Sequence, residues 1–299
     1  MKIVVVGKNS QIGKHLSLLS KKNSNDMFFF DSNSLNLLNF ENIKNILYEI
    51  QHSLVINFAA FTDVDSAEDN QDLVYKVNAL GPKNLAQISS EINAFLIHIS
   101  TDYVFGENSE GPFSSNAKTG PVNFYGMSKL DGEDGVLNNN KRSLVIRTSG
   151  IFSSYNKNFV KTVINKLHNN ENLNVISDQK ISITYAGDIA EFIDKISSAN
   201  ILSKLITEPS KRIIHFTNIG YTNWYEVAEF IEISLREKIN FLGSVSSIKS
   251  EKWSAKAQRG SDTRLNIDYS LFDSLDIKLI NWQDRVKKVI EKSYRGRNG

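Results

Sequence analysis

The chain has 299 residues, 40% of them apolar and 23% charged, with a formal net charge of +2; this is enough apolar material for a sizeable core and excludes collagenous and disordered classes. Zero cysteines exclude disulfides, thiolate metal sites and cysteine nucleophiles. No long basic run is interleaved with aromatics and no window approaches eighteen continuous apolar residues, so the expected partner is a small molecule in the cytoplasm rather than nucleic acid or membrane.

The first strand is expected over Lys2 to Val6, and Gly7-Lys8-Asn9-Ser10-Gln11-Ile12-Gly13 follows it directly and opens a helix near 11–22. That context is the one a dinucleotide-binding loop requires: Gly7 permits the tight turn, Gly13 lets helix and strand pack closely, and the first-turn amides face a pyrophosphate. Ser10 stands where glycine is usual and would either crowd the phosphates or hydrogen-bond one of them. A purely structural strand-to-helix turn is the alternative. The second strand, Met27 to Asp31, ends on a carboxylate 18 residues after Gly13, placed to accept hydrogen bonds from the adenosine ribose hydroxyls and to repel a 2′-phosphate. This slightly favours NADH over NADPH, unless Asp31 merely caps the next turn.

Further strands are expected over Leu54 to Phe58, Ala94 to Ile99 and Ser143 to Arg147, with helices near 40–51, 70–91 and 122–138 between them. Unbroken apolar strands alternating with helices indicate a doubly wound parallel sheet whose crevice lies at the carboxyl ends of the strands. After the fourth strand comes Ser100-Thr101-Asp102-Tyr103-Val104-Phe105-Gly106. Thr101, with Ser100 as the nearer alternative, is placed to hydrogen-bond a substrate carbonyl and stabilise developing alkoxide charge; a turn held by side-chain hydrogen bonds is the competing account. Tyr125-Gly126-Met127-Ser128-Lys129 puts a phenol and an ammonium one helical turn apart. The ammonium would favour the phenolate, making Tyr125 a credible general acid near neutrality, with Lys129 also free to bind a ribose hydroxyl. In isolation such a pair usually means a packed ring and a solvated amine.

Beyond residue 150 the pattern is mixed, with helices near 156–169, 186–199, 223–237 and 282–292 and short strands near 173–176 and 213–216. Gly243 to Thr263 reads as a loop able to order around a ligand. The expected division is a dinucleotide-binding domain over 1–150, joined by returning segments near 184–218, and a mainly substrate-binding domain over 151–299.

These residues together resemble the extended short-chain dehydrogenase/reductase superfamily and, within it, the dTDP-4-dehydrorhamnose reductase family. The similarity includes Asn57 to Glu68, Val77 to Ala86, Ser100 to Phe105, Asn123 to Lys129, Arg147-Thr148-Ser149, Asn158 to Lys161 and Asp178-Gln179. It implies a doubly wound parallel Rossmann sheet with a smaller mixed α/β C-terminal substrate domain. It also implies that Ala59, Ala60 and Thr62 line the cofactor site, that Asn78 supports the active-site helix, and that Thr101, Tyr125 and Lys129 carry hydride-transfer chemistry. The implied reaction is NAD(P)H-dependent reduction of the C4 ketone of a nucleotide-linked 6-deoxy-4-keto sugar in cell-envelope polysaccharide synthesis. Ser100, Asp102, Tyr103, Asn158 and Gln179 become candidate substrate contacts, with Phe159 and Tyr185 weaker ones. Arg259, flanked by Lys256 and Arg264, becomes a candidate clamp for the substrate diphosphate.

Three departures lie on the substrate side. Gly150 follows Arg-Thr-Ser where the family usually has an aromatic, so a sugar-facing wall is expected to be missing; Ile181 and Ile183 replace glycine and proline; Gly260 replaces proline. Some family members bind a metal at a dimer interface through acidic residues on the first helix, where this chain has Lys14 and His15. No metal is therefore expected, His15 reads as a surface residue, and the chain is a monomer or homodimer. The competing functions are a non-catalytic nucleotide-binding regulatory protein and a related epimerase or dehydratase. A dehydratase of this fold carries glutamate after the aspartate, where this chain has Tyr103.

Overall fold

The computed structural model describes residues 2–21, 26–51, 53–107, 110–207, 211–237 and 243–295. Residue 22 of the expected first helix and residues 208–210 of the returning segments lie outside them. The first half runs β1 (Lys2–Val6), α1 (Gln11–Ser20), β2 (Asp26–Phe30), α2 (Phe40–Ile50), β3 (Leu54–Asn57), α3 (Val64–Asp69) and α4 (Gln71–Tyr75). It continues through a π-helical turn at Lys76–Leu80, α5 (Gly81–Glu91), β4 (Phe95–Thr101), a 3₁₀ turn at Asp102–Val104, α6 (Phe124–Asn139) and β5 (Ser143–Thr148). The second half holds β6 (Ile151–Phe152), α7 (Phe159–His168), β7 (Leu173–Ile176), β8 (Thr184–Tyr185), α8 (Ala186–Ile196), α9 (Ala199–Leu205) and β9 (Ile213–His215). It ends with α10 (Trp224–Arg236), β10 (Val245–Ile248), α11 (Tyr269–Ser274) and α12 (Trp282–Arg295).

Six parallel strands form the main sheet in the order β2-β1-β3-β4-β5-β9. Alternate residues of each strand feed opposite faces. Ile3, Val5, Ile56 and Ile97 pack with α1 and α8, while Val4, Val6, Val55 and Leu96 pack with α2, α5 and α6. With both faces covered, the strands are continuously apolar, as their sequences indicate. The strand order reverses between β1 and β3, which opens a crevice beyond their carboxyl ends.

The 213–216 strand, within the segments near 184–218, is β9 and pairs with β5 as the sixth strand of the main sheet, and α8 lies against α1. A second core is built from α7, α10 and α12 with Val175, Ile181, Ile183 and Tyr185. The helix expected over 70–91 is interrupted. Pro82 has no N–H to donate to the Asn78 carbonyl four residues earlier, so the chain takes the wider π turn before α5. The segment Gly243 to Thr263, expected as loop, contains β10, which pairs in parallel with β7, and a 3₁₀ turn at Ser250–Lys252. Among the described residues no helix is long and apolar enough to cross a membrane.

Candidate active site

The crevice is a cavity of about 860 Å³. Its wall at one end is the loop after β1. Gly7 has φ +88°, and a Cβ there would lie 2.7 Å from the Ala59 nitrogen; one on Gly13 would lie 2.5 Å from the Gly7 carbonyl. Only glycine fits either place, as the motif's spacing requires. Ser10 is the N-cap of α1: its Oγ accepts from the Gly13 amide at 2.9 Å. It therefore does not crowd the loop, and its hydroxyl hydrogen remains available to an anion at the helix N-terminus.

Asn9, Ser10, Gln11, Ile12, Asp31, Ala59, Ala60 and Thr62 all line the cavity. Asp31 Oδ1 accepts from the Asn33 amide, the Ser34 amide and the Ser34 hydroxyl, which hold its carboxyl below the usual range. Oδ2 faces Lys8 Nζ at 4.0 Å. The turn is thus capped through Oδ1, and Oδ2 takes no part in it. Gln11 is spent on structure: Oε1 accepts from Ser153 and Asn158, and Nε2 donates to the Ile151 carbonyl.

At the carboxyl end of β4, Ser100, Thr101, Asp102 and Tyr103 line the same cavity as Tyr125 and Lys129 of α6. Ser100 Oγ is buried without a hydrogen-bond partner. Tyr125 is buried beside Thr101, and burial pushes its phenol well above the usual value, with Thr101 acting in the opposite direction. Its ring meets that of Tyr103 edge-on, with centroids 5.5 Å apart. Here the sequence expectation is corrected. The Tyr125 phenol is raised rather than lowered, and Lys129 Nζ donates to the Ile99 carbonyl at 2.7 Å and lies 3.3 Å from His98 Nε2. Burial lowers the amine from 10.5 to about 8.

Two buried side-chain contacts help to seat α6. Asn78, inside the π turn, donates from Nδ2 to Ser128 Oγ at 3.1 Å and exchanges hydrogen bonds with the Phe61 backbone, bridging the β3 loop to the helix as expected. Glu133 forms a buried pair with Arg147 of β5, Nη2 to Oε2 at 2.6 Å.

Several expected substrate contacts are committed elsewhere. The Asp102 carboxylate accepts from Ser149 and Thr263 at 2.7 Å and from Thr101 at 3.2 Å, and burial pushes it up to about 6. Asn158 caps α7 with Oδ1, while its Nδ2 donates to Gln11, Ser153 and Tyr155. Gln179 is buried and Tyr185 lies in the second core, neither on the cavity wall. Arg259 is not on the wall either: it makes a two-pronged pair with Asp65 of α3, Nη2 to Oδ2 at 2.9 Å. Lys256 pairs with Asp69 and Arg264 with Asp262, so the basic segment is neutralised and strapped across α3. His15 is half-buried between the rings of Tyr155 and Tyr185 rather than on the surface.

One cavity residue, Trp224, was not singled out from the sequence. It and Phe159, with centroids 4.6 Å apart, line the cavity together with Ile183 and Gly150. An aromatic wall therefore exists, supplied by the starts of α7 and α10. The asparagine N-caps that precede both residues were the available signal, since they place an aromatic at a helix entrance. Among the described residues no cluster of three or more His, Asp or Glu could hold a metal ion.

Comparison with known proteins agrees with this geometry. The chain is 29% identical to the dTDP-4-dehydrorhamnose reductase of Aggregatibacter actinomycetemcomitans over 291 residues, covering 96% of this chain and 98% of that one. Its fold matches the crystal structure of dTDP-4-dehydrorhamnose reductase from Bacillus anthracis in complex with NADP, with a TM-score of 0.86 and 29% identity, covering 97% of this chain and 99% of that one. The corresponding ortholog from Clostridium acetobutylicum gives a TM-score of 0.87 at 29% identity, covering 98% and 100%. The model of the RmlD substrate binding domain matches residues 1–295, and the chain belongs to that family, whose members include nucleotide-sugar reductases.

Proposed function

We propose that this chain reduces the C4 ketone of a nucleotide-linked 4-keto-6-deoxy sugar with NADH or NADPH, as a dTDP-4-dehydrorhamnose reductase-like enzyme of cell-envelope polysaccharide precursor synthesis in the cytoplasm. The observation that carries this reading is the convergence, in one cavity, of the β1 phosphate loop, Asp31, Ala59 and Ala60 with Thr101, Tyr125 and Lys129.

The residues fit a dinucleotide. The Gly7 position is a cradle that a Cβ would fill, the α1 N-terminus offers amides to a pyrophosphate, and Asp31 Oδ2 is free of the turn it caps. When bound, the nicotinamide supplies the hydride. The chain's own residues do the rest. Burial keeps the Tyr125 phenol protonated at neutral pH, which is the form a general acid needs, and its proton goes to the ketone oxygen as charge develops there. Thr101 lies beside that phenol on the cavity wall, and the unpartnered Ser100 hydroxyl is a donor toward the same oxygen. Lys129 holds a ribose hydroxyl. Trp224 and Phe159 offer apolar faces to the sugar or base. NADH is slightly favoured because Asp31 would repel a 2′-phosphate. The substrate-binding role falls mainly on residues 151–299, and the protein acts as a monomer or homodimer.

The test uses reduced cofactor deuterated at the transferred position and freshly generated 4-keto-6-deoxy sugar nucleotides. Deuterium at C4 of the product, with one cofactor oxidised per sugar, is the expected result. An epimerised sugar with no net cofactor oxidation would overturn it.

A further inference from the structure

A dinucleotide brings negative charge to the cavity at its pyrophosphate, and the cavity wall is short of positive charge to meet it. Among the described residues that line it, the acidic ones are Asp31 and Asp102 and the basic ones are Lys129 and Lys157. Lys129 is buried, with its Nζ donating to the Ile99 carbonyl. Lys8 faces Asp31, and Lys256, Arg259 and Arg264 are each paired with a carboxylate off the wall. Lys157 is different. It is exposed, and among the described residues its side chain makes no ion pair or hydrogen bond.

Lys157 belongs to the second half of the chain, yet both of its neighbours are tied to the phosphate loop and the start of α1. Asn156 Nδ2 donates to the Asn9 carbonyl at 2.8 Å, and Asn156 Oδ1 accepts from Lys14 Nζ. Asn158 Nδ2 donates to Gln11 Oε1 at 2.9 Å, and the Ser153 hydroxyl donates to the same oxygen at 2.8 Å. Asn156 has φ +54°, a left-handed conformation that asparagine enters more readily than most residues. Its bond to Asn9 also engages a carbonyl whose lone pairs would repel an anion. We propose that Lys157 is a pyrophosphate-binding residue for the dinucleotide, a countercharge delivered to the phosphate loop by the segment that Asn156 and Asn158 anchor there. Lys157 has this role only if the cavity holds a dinucleotide, as the proposed function requires. Lysine suits it: a compact charge on a flexible stem reaches phosphate oxygens without needing one fixed geometry. An exposed cation is also one that salt screens. The substrate's own diphosphate is the other anion of this chemistry, but the anchoring bonds go to Asn9, Gln11 and Lys14, not to the Thr101 and Tyr125 end of the cavity.

The test is equilibrium binding to the full chain and to its Lys157→Met and Lys157→Arg variants, with NADH followed by fluorescence and dTDP by calorimetry at saturating NADH. Lys157→Met should weaken NADH about tenfold, the worth of one hydrogen bond to a charged group, and flatten the dependence of its Kd on salt. Lys157→Arg should restore both, and dTDP should bind the three proteins alike. The side chain is exposed, so without ligand all three should melt at the same temperature. NADH bound equally by the wild type and Lys157→Met would overturn the inference, and so would a loss confined to dTDP, which would give the lysine to the substrate diphosphate instead. Binding is read without turnover, so a failure to reduce any sugar would count against the proposed reaction alone, whereas a wild type that binds neither NADH nor NADPH would overturn both.

Discussion

Tyr125 and Lys129 share a helix face but are held by different neighbours, and this separates what each substitution should do. Tyr125→Phe keeps the ring among Tyr103, Phe61 and Val64 and removes the phenol proton proposed for the ketone. Turnover should fall about 10²- to 10⁴-fold while cofactor affinity, measured by fluorescence titration, changes little. Lys129 acts on stability through pH. Its proton affinity drops from 10.5 to about 8 on folding, so between those values the unfolded chain binds more protons than the native one. Stability should then rise with pH across that window and be flat below it. Relative to Lys129→Met, the wild type should gain roughly 3 kcal/mol over the window, at about 1.4 kcal/mol per unit, as read by urea denaturation at a series of pH values. A constant difference between the two proteins would contradict the placement of the amine.

At the scale of elements, α6 carries the candidate chemistry, and two buried side-chain bridges are among its fastenings. One is the π turn through Asn78 and Ser128; the other is the buried Glu133–Arg147 pair to β5. Glu133→Ala would leave a guanidinium buried without its partner, a loss of about 3–5 kcal/mol that should appear as a lower denaturation midpoint. The strap over α3 is different in kind, because its Asp65–Arg259 pair is partly exposed. Asp65→Ala should cost no more than about 1 kcal/mol, yet speed tryptic cleavage near Lys256 and Arg259 several-fold. The contrast also explains what was legible in sequence. The strands and the Gly7, Ser100 and Tyr125 segments announce themselves by local runs and spacing. The fate of Arg259 depends on a carboxylate 194 positions away. The Val245–Ile248 strand depends on pairing with β7, and the π turn shows only as a proline whose effect falls four residues upstream. His98 left a readable mark, an imidazole inside an apolar strand, but its partners Asn57 and Lys129 come from two other elements.

For the whole molecule, the sheet order places the phosphate loop of β1, the Ala59 loop of β3 and the hydroxyls of β4 at one end of the sheet. The second core brings Phe159 and Trp224 over them. Binding should therefore stabilise the fold as a unit. NADH at one hundred times its Kd is expected to add about 2.7 kcal/mol to the unfolding free energy, and Asp31→Asn should narrow the difference between NADH and NADPH in the same thermal assay. The central claim is that this cavity performs ketone reduction with Tyr125 as the acid. Its most direct test is oxidation of NADH and NADPH, followed by absorbance, with a panel of 4-keto-6-deoxy sugar nucleotides and the wild type beside Tyr125→Phe. Turnover on at least one sugar that collapses in the variant is the predicted result; cofactor binding without oxidation across the panel, or turnover equal in the two proteins, would contradict it.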